Sequence, residues 1–492
     1  MNSSGVCCDC RQAENCDHHN GSYGKHWQSC QRVEFIVGTQ WTKESHFLHL
    51  ASKTSKLRPS SFLGHVTLVS KRTPVPDWLI TGCSQLLTLR GPVPRRGQAL
   101  GDPVIIPDGA LLVRGDRIAA VGKRRHIERL RGVRRAEKLN LGGRVALPGF
   151  VDSHTHLIFP ASRAAEYELR NSGAAYEEIA QTGGGIRSTV DRLRRTPAKQ
   201  LKVRARTNLR EFAVHGTTTI EAKSGYGLDW KSELKTLEIL YELHQEQPVD
   251  IHSTFLGAHV VPSEFRGRAD AYVNLLARRW IPTIATAGLA EFCDVFCDRG
   301  AFTVAQARII LSAGRACGLV PRVHAEQLEH TGAARLAIEL HAASADHLEK
   351  VNRSDIRALG VSNVVCTLLP GCCFHLGLPH YGPARQLIEA GAAVGLATDF
   401  NPGTSPTVSM PMILSLACTQ MHMTPAEAIT AATINPAYSL RQHDRVGSLE
   451  VGKYADLAAF DVADYREIPY YFGVNLCSLT MKRGAIIHSK NL

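Results

Sequence analysis

From residue 77 onward, short apolar runs alternate with breaks rich in Gly, Pro and Asp. Trp78-Leu-Ile-Thr-Gly82, Gly109-Ala-Leu-Leu-Val113 and Arg117-Ile-Ala-Ala-Val-Gly122 read as strands bounded by turn residues. The same texture returns in Gly447 to Phe460 and Leu479 to His488. Two β-rich ends around one long middle predict a small sheet built from both. The middle has a different rhythm. Strand-like runs at Gly216–Glu221, Asp250–Leu256, Leu319–His324, Val364–Pro370 and Ala393–Asp399 are separated by helical periods, such as Ala198–Val214 and Pro425–Thr433. This repetition predicts an α/β fold, as a (β/α)8 barrel or a doubly wound sheet. Candidate polar residues fall at the C-terminal ends of the strands, which fits a TIM-like barrel better. The expected division is a barrel over 148–440 and a small β-sandwich from 77–147 and 441–492.

Residues 1–76 differ. They are rich in Ser, His, Cys, Lys and Asn, without a sustained period, and are expected to be an unstructured extension. Cys7, Cys8, Cys10, Cys16, His18, His19 and Cys30 are of metal-ligand type but lack zinc-finger spacing. The start carries no basic segment followed by an apolar one, so no secretory signal is expected. No run of 18 apolar residues predicts a membrane span. Fourteen cysteines, mostly scattered through apolar segments, fit reduced thiols and a cytoplasmic address better than a disulfide scaffold. The net charge of +12 raises the question of nucleic acid. The densest basic run, Lys123 to Lys138, has no interleaved aromatics to stack bases, so a solvated basic face is expected instead.

The chemistry begins at the end of the apolar run Arg144–Ser153, where His154-Thr-His156 follows. On an extended strand, residues i and i+2 point to one side, so both rings can meet one ion. Comparable strand ends carry His259, His324, His347 and Asp399. Three imidazoles and a carboxylate make a plausible catalytic shell for zinc or ferrous iron. A metal in such a shell activates water. A neighbouring carboxylate takes the proton and passes it on. Gly183-Gly-Gly185 lacks the Lys-Ser/Thr ending of a phosphate loop and reads as a tight turn near substrate. The pairs Cys293/Cys297 and Cys372/Cys373 read as packing thiols.

Leu147-Pro-Gly-Phe-Val-Asp-Ser-His-Thr-His156 and Gly447-Ser-Leu-Glu-Val-Gly-Lys-Tyr-Ala-Asp-Leu457 resemble the amidohydrolase superfamily. Within it, the chain resembles the imidazolonepropionase family through Ser162-Arg163, Gly183–Ile186, Glu221–Gly227, Leu256–His259, Ser344–His347 and Thr398–Thr404. The resemblance runs from about Asp77 to the C-terminus. It implies a TIM-like barrel, one zinc or iron ion per subunit and a homodimer. It also implies hydrolysis of 4-imidazolone-5-propanoate to N-formimino-glutamate in histidine degradation. The metal ligands it implies are His154, His156, His324 and Asp399. The substrate contacts are Arg163, Tyr176, Tyr226, His259, Gln327, Asn401, Gly403 and Thr404, with His347 polarising the reacting carbonyl. Some members have Glu at the position of Gln327. With Gln there, Asp399 or Glu326 becomes the candidate proton acceptor. Lys223 raises the carbamylated lysine of two-metal members, but a one-metal site with Lys223 in an outer role is expected. Arg163 suits a substrate carboxylate, which it would hold by two parallel hydrogen bonds. Two alternatives stand beside this reading: an aminohydrolase acting on a purine or pyrimidine, and a barrel that binds without catalysis.

Overall fold

The computed structural model describes residues 75–173 and 184–490. The chain opens with β1 (Trp78–Leu87), β2 (Ile105–Pro107), β3 (Gly109–Arg114), β4 (Arg117–Lys123) and β5 (Glu137–Pro148). β1 pairs antiparallel with β2 and β3, and parallel with β5. At the far end of the chain β14 (Leu457–Phe460), β15 (Cys477–Lys482) and β16 (Ala485–Ser489) extend the sheet beyond β5. The order is β16-β15-β14-β5-β1-β3-β4, with β2 on β1. Ile80, Leu86, Leu111, Val113, Leu141, Leu457, Leu479 and Met481 share one buried cluster, so both chain ends fold around a common core. The run from Gly447 becomes strand only at Leu457. Before that it turns, and Tyr454 bridges to Arg117.

Between these ends lie eight parallel strands: β6 (Phe150–Asp152), β7 (Thr217–Lys223), β8 (Asp250–Ala258), β9 (Phe292–Cys297), β10 (Val320–Ala325), β11 (Ser344–His347), β12 (Val365–Leu368) and β13 (Ala393–Leu396). Beyond the strand ends, Thr155 bridges to Phe400. His156 N–H donates to Phe400 O at 2.8 Å and Asp399 N–H to His154 O at 3.0 Å. The first and last strands are thereby tied together, which gives the (β/α)8 barrel. The helix Ala198–Val214 forms with the expected bounds. Pro425–Ala431 stops two residues short of the expected end and starts at a capping box made by Thr424 and Glu427.

The barrel strands are buried on both faces, as parallel strands under helices must be. Their interior is nonetheless charged: Asp152, Glu221, Lys223, Asp294, Arg322 and Asp346 are all buried. Entry into the barrel is tight. A Cβ at Gly149 would sit 2.3 Å from the Thr218 methyl, so the link between β5 and β6 has room only for glycine.

Candidate active site

His154 and His156 follow β6, and His324 lies in β10. Ligand atoms of these three rings lie within 4.8 Å of one another, and all three side chains are buried. Asp399 follows β13 at a left-handed φ of 52°. Its Oδ1 is 3.7 Å from His154 Nε2 and 3.6 Å from His156 Nε2. The structure therefore brings together the four groups expected to hold a metal.

Acids behind the rings orient them. His154 Nδ1 bonds Asp346 Oδ2 at 2.8 Å. His324 Nδ1 lies 3.0 Å from Asp294 Oδ2. The Asp346 hydrogen bond draws the His154 proton to Nδ1 and leaves its Nε2 lone pair facing the centre, while His324 Nδ1 faces Asp294 without a formed hydrogen bond. His154 Nε2 and His324 Nε2 are buried without a hydrogen-bond partner. Orphaned lone pairs of this kind are costly unless something binds them. Burial, reinforced by Lys223 and neighbouring histidines, pushes both His154 and His156 well below the usual imidazole range. Neutral rings are the form a metal needs. The donor set fits a zinc or ferrous ion.

Beneath the rings, Lys223 Nζ is 2.8 Å from Glu221 and 2.9 Å from Asp294. Burial alone would discharge this lysine, but the two carboxylates raise its pKa instead. An ammonium so held is no candidate for carbamylation, and it anchors the Asp294 carboxylate behind His324. Arg322 does the same for Asp346, at 3.4 Å, while donating to Ser153 O at 2.7 Å.

The walls are aromatic. The His259 ring stacks on His156 at 5.3 Å, and Tyr226 sits 5.5 Å from His156 and 5.3 Å from His259. His259 Nδ1 donates to Gly225 O, and burial lowers its pKa to about 3, so its Nε2 is a neutral acceptor. Burial raises Tyr226, which keeps its hydroxyl protonated as a donor. His347 follows Asp346 with its ring 5.4 Å from His324 and 5.6 Å from His154. Burial opposes its charge, yet Glu349 and Asp399 raise its pKa. Burial lifts Asp399 to about 6, although His347 and His324 oppose the shift.

Other expected contacts need correction or refinement. Glu326 does not face the site. Its carboxylate accepts from Thr331, Gly332 and Ala334 N–H and so caps the helix Ala333–Glu339. It cannot shuttle a proton at the metal shell. Asn401 spends its amide on its own loop: Oδ1 accepts from Gly403 and Thr404 N–H, and Nδ2 donates to Asp399 O. It shapes the loop that carries Gly403 and Thr404. Arg163 stands over that loop, so close that a Cβ at Gly403 would lie 2.1 Å from Nη1. Its Nε and Nη2 are engaged by Glu166. Gln327 Nε2 approaches Cys372 Sγ at 3.7 Å. Tyr176 lies outside the described residues.

Some groups escaped sequence reasoning. Asp294 sits inside Phe292-Cys-Asp-Val-Phe-Cys297, between two cysteines. A lone acid in an apolar strand is itself a signal. Arg170, beside Arg163, donates to Gly403 O at 3.2 Å. Cys372 and Cys373, by contrast, are the buried packing thiols expected from the sequence, and burial pushes their pKa values up.

The amidohydrolase family pattern matches residues 145–487. The chain is 48% identical over 417 residues to the imidazolonepropionase of Solibacter usitatus, covering 84% of this chain and 99% of that protein. It is 46% identical over 410 residues to the imidazolonepropionase of Geobacillus kaustophilus, covering 82% and 96%. Among solved structures, an atrazine chlorohydrolase mutant from Arthrobacter aurescens, complexed with zinc and atraton, superposes with a TM-score of 0.60 at 17% identity, covering 84% of this chain and 95% of that one. An adenosine deaminase from Xanthomonas campestris with bound zinc gives 0.59 at 16%, covering 84% and 93%. These last two likenesses concern the fold.

Proposed function

Because the chain belongs to the amidohydrolase family, and within it to the imidazolonepropionases, we propose that its barrel mouth hydrolyses the ring amide of 4-imidazolone-5-propanoate to N-formimino-L-glutamate. The observation that carries the residue assignment is the convergence of three buried imidazoles, with the Nε2 atoms of His154 and His324 left without a hydrogen-bond partner and Asp399 within 3.7 Å of His154 and 3.6 Å of His156. His154, His156, His324 and Asp399 would hold one zinc or ferrous ion. When bound, that ion supplies Lewis acidity and lowers the pKa of a water.

The chain's own groups do the rest. Asp399 takes a proton from the attacking water and returns it to the departing ring nitrogen. His347 donates a hydrogen bond to the ring carbonyl oxygen as negative charge gathers there. Water oxygen joins the carbonyl carbon and the C–N bond breaks. Tyr226 and His259 hold the ring between polar and aromatic surfaces. Gly403 and Thr404 give it a backbone edge. Gln327 has no ionisable group, so proton transfer rests with Asp399 rather than at that position.

Arg163 reads the propionate. Its two donors toward Glu166 must be shared or exchanged when substrate arrives, and Arg170 keeps the local charge positive. This carboxylate requirement separates the reading from a purine or pyrimidine aminohydrolase. We further propose a homodimer in the cytoplasm. Nine cysteines among the described residues are free thiols, which fits a reducing compartment.

The test is the loss of imidazolone propionate absorbance with purified protein, before chelation, after it, and after adding back zinc or ferrous iron. Turnover that needs the ion is the expected result. Unchanged turnover after complete removal of metal would sink the metal assignment. No turnover under any condition would favour a binding barrel.

A further inference from the structure

Each imidazole aimed at the centre from β6, β10 and β11 has an acid at its Nδ1. For His154 it is Asp346, which is hydrogen-bonded; Asp294 lies 3.0 Å from His324 Nδ1 and Glu349 Oε1 3.5 Å from His347 Nδ1, each facing a ring nitrogen that has no hydrogen-bond partner. The first two acids are tied to Arg322 and Lys223. Glu349 is not. Among the described residues its one ion-pair partner is His347, and its other contact is the Cys373 thiol at 3.4 Å. Its side chain is 4% exposed, and its Oε2 is buried without a partner. A buried carboxylate with so little compensation is expensive.

The backbone works to put it there. His347 and Leu348 both adopt left-handed conformations, with φ of 82° and 70°. Two successive non-glycine residues in that region are strained. The turn is pinned by Leu348 N–H to Ala325 O at 3.0 Å and by Lys350 N–H to Glu326 O at 2.7 Å. It reverses the chain directly after β11 and brings Glu349 back beside the ring two residues earlier. Strain and uncompensated burial at one point, next to a ring that faces the reacting atoms, mark a positioning device.

We propose that Glu349 is the positioning residue of His347. It fixes the ring's orientation through Nδ1, so that Nε2 is presented to the ring carbonyl of the substrate. The 3.5 Å approach closes to a hydrogen bond when substrate seats the ring. This rests on the reading of His347 given above, and the experiment separates the two.

The experiment is a double-mutant cycle on the metal-loaded enzyme, with Glu349→Leu, Glu349→Gln, His347→Asn and the double variant His347→Asn/Glu349→Leu. Partners behind an active imidazole cost about 10–100-fold when removed. Glu349→Leu should lower kcat by that factor while KM moves less than about three-fold, because Arg163, Tyr226 and the Gly403 loop are untouched. Glu349→Gln keeps an acceptor for Nδ1–H and should recover a substantial part of kcat. In the His347→Asn background, Glu349→Leu should cost less than about two-fold, since the residue it positions is gone. Equal losses in both backgrounds, or a loss confined to KM, would overturn the positioning role and leave the reading of His347 standing. Wild-type turnover in His347→Asn would overturn both. Should Glu349→Leu fold poorly, the isosteric Glu349→Gln alone decides: its kcat must fall measurably yet remain above that of His347→Asn.

Discussion

The two ends of the barrel both bury charge, and they treat it in opposite ways. At the floor, Asp250 opens β8 and meets Lys482 and Arg483 from β15 and the turn after it. Lys482 Nζ lies 2.7 Å from Asp250 and also pairs with Asp456, and Arg483 donates to both Asp250 oxygens at 2.9–3.0 Å. Its backbone N–H completes Asp456 at 2.7 Å. Every acid in this knot has a cation. At the mouth, the acids are turned to the backs of imidazoles, and the lone pairs left over converge on Asp399. The floor pairs its acids with cations and ties the small sheet to the barrel. The mouth is left open to a ligand. Burial alone does not mark an active site; several buried imidazole nitrogens converging with unfinished bonding do.

The sharpest way to break this contrast is His156→Ala. It removes a ring whose bonds point to the centre, so it should cost function and little fold. Metal content should drop well below one equivalent, and kcat/KM should fall by about three orders of magnitude or more, the scale of losing a metal-activated water. The apo protein's Tm should change little. Full metal occupancy with full turnover would remove His156 from the shell.

The mirror experiment is Lys482→Met. It leaves Asp250 and Asp456 buried side by side without their shared ammonium. Breaking a buried pair from one side costs about 3–5 kcal/mol. For a chain of this size Tm should fall by roughly 3–6 °C. Metal content and kcat at 25 °C should stay near wild type, because the floor touches neither ring nor substrate. A collapse of kcat with unchanged Tm would erase the distinction between the two ends.

Arg163→Leu tests the rim of the mouth. A charge-assisted contact contributes about 1.5–3 kcal/mol, so kcat/KM should fall by about one to two orders of magnitude with metal retained. Lysine should rescue only part, because it lacks the planar fork. Wild type should discriminate strongly against an analogue with an uncharged chain, and the leucine variant should not. Equal discrimination by both would take the propionate away from Arg163. Glu166, which already holds two of its donors, would then be its whole purpose.

Much of the mouth was legible because strand ends are simple. A ligand that follows an apolar run shows in the chain, as His154, His156, His324 and Asp399 did. What lies one turn deeper does not show. Asp294 and Asp346 act through rings on other elements: the β9–β10 pairing brings Asp294 beside His324, and closure of the barrel brings Asp346 to His154, and neither leaves a trace in local spacing. Glu326 was misread for a related reason. It sits two residues after His324, but a left-handed φ of 56° turns the chain and sends its carboxylate to a helix start instead. The charged floor was missed because Asp250 and Lys482 lie 232 positions apart and meet only when both ends of the chain share one sheet. Local period predicts elements well; partners across elements need the topology.

The smallest expected effect concerns residues 1–71, which lie outside the described residues. The buried clusters of sheet and barrel draw on residues from Leu79 onward. The Solibacter relative is matched over 99% of its length by 84% of this chain. The cut should be placed at Arg72 rather than Asp77. Val75 packs so near Gly484 that a Cβ there would meet its Cγ1 at 2.9 Å, and Asp77 accepts from Gly115 N–H. A chain beginning at Arg72 keeps both contacts. It should fold, bind the same amount of metal, and hold kcat and KM within about two-fold, since the relatives are matched without this segment. Its Tm should stay within about 2 °C, since no buried pair at the floor is touched. Insoluble protein, or a tenfold loss of kcat with metal retained, would show that the first 71 residues support the mouth. The contrast between floor and mouth would then need a third region.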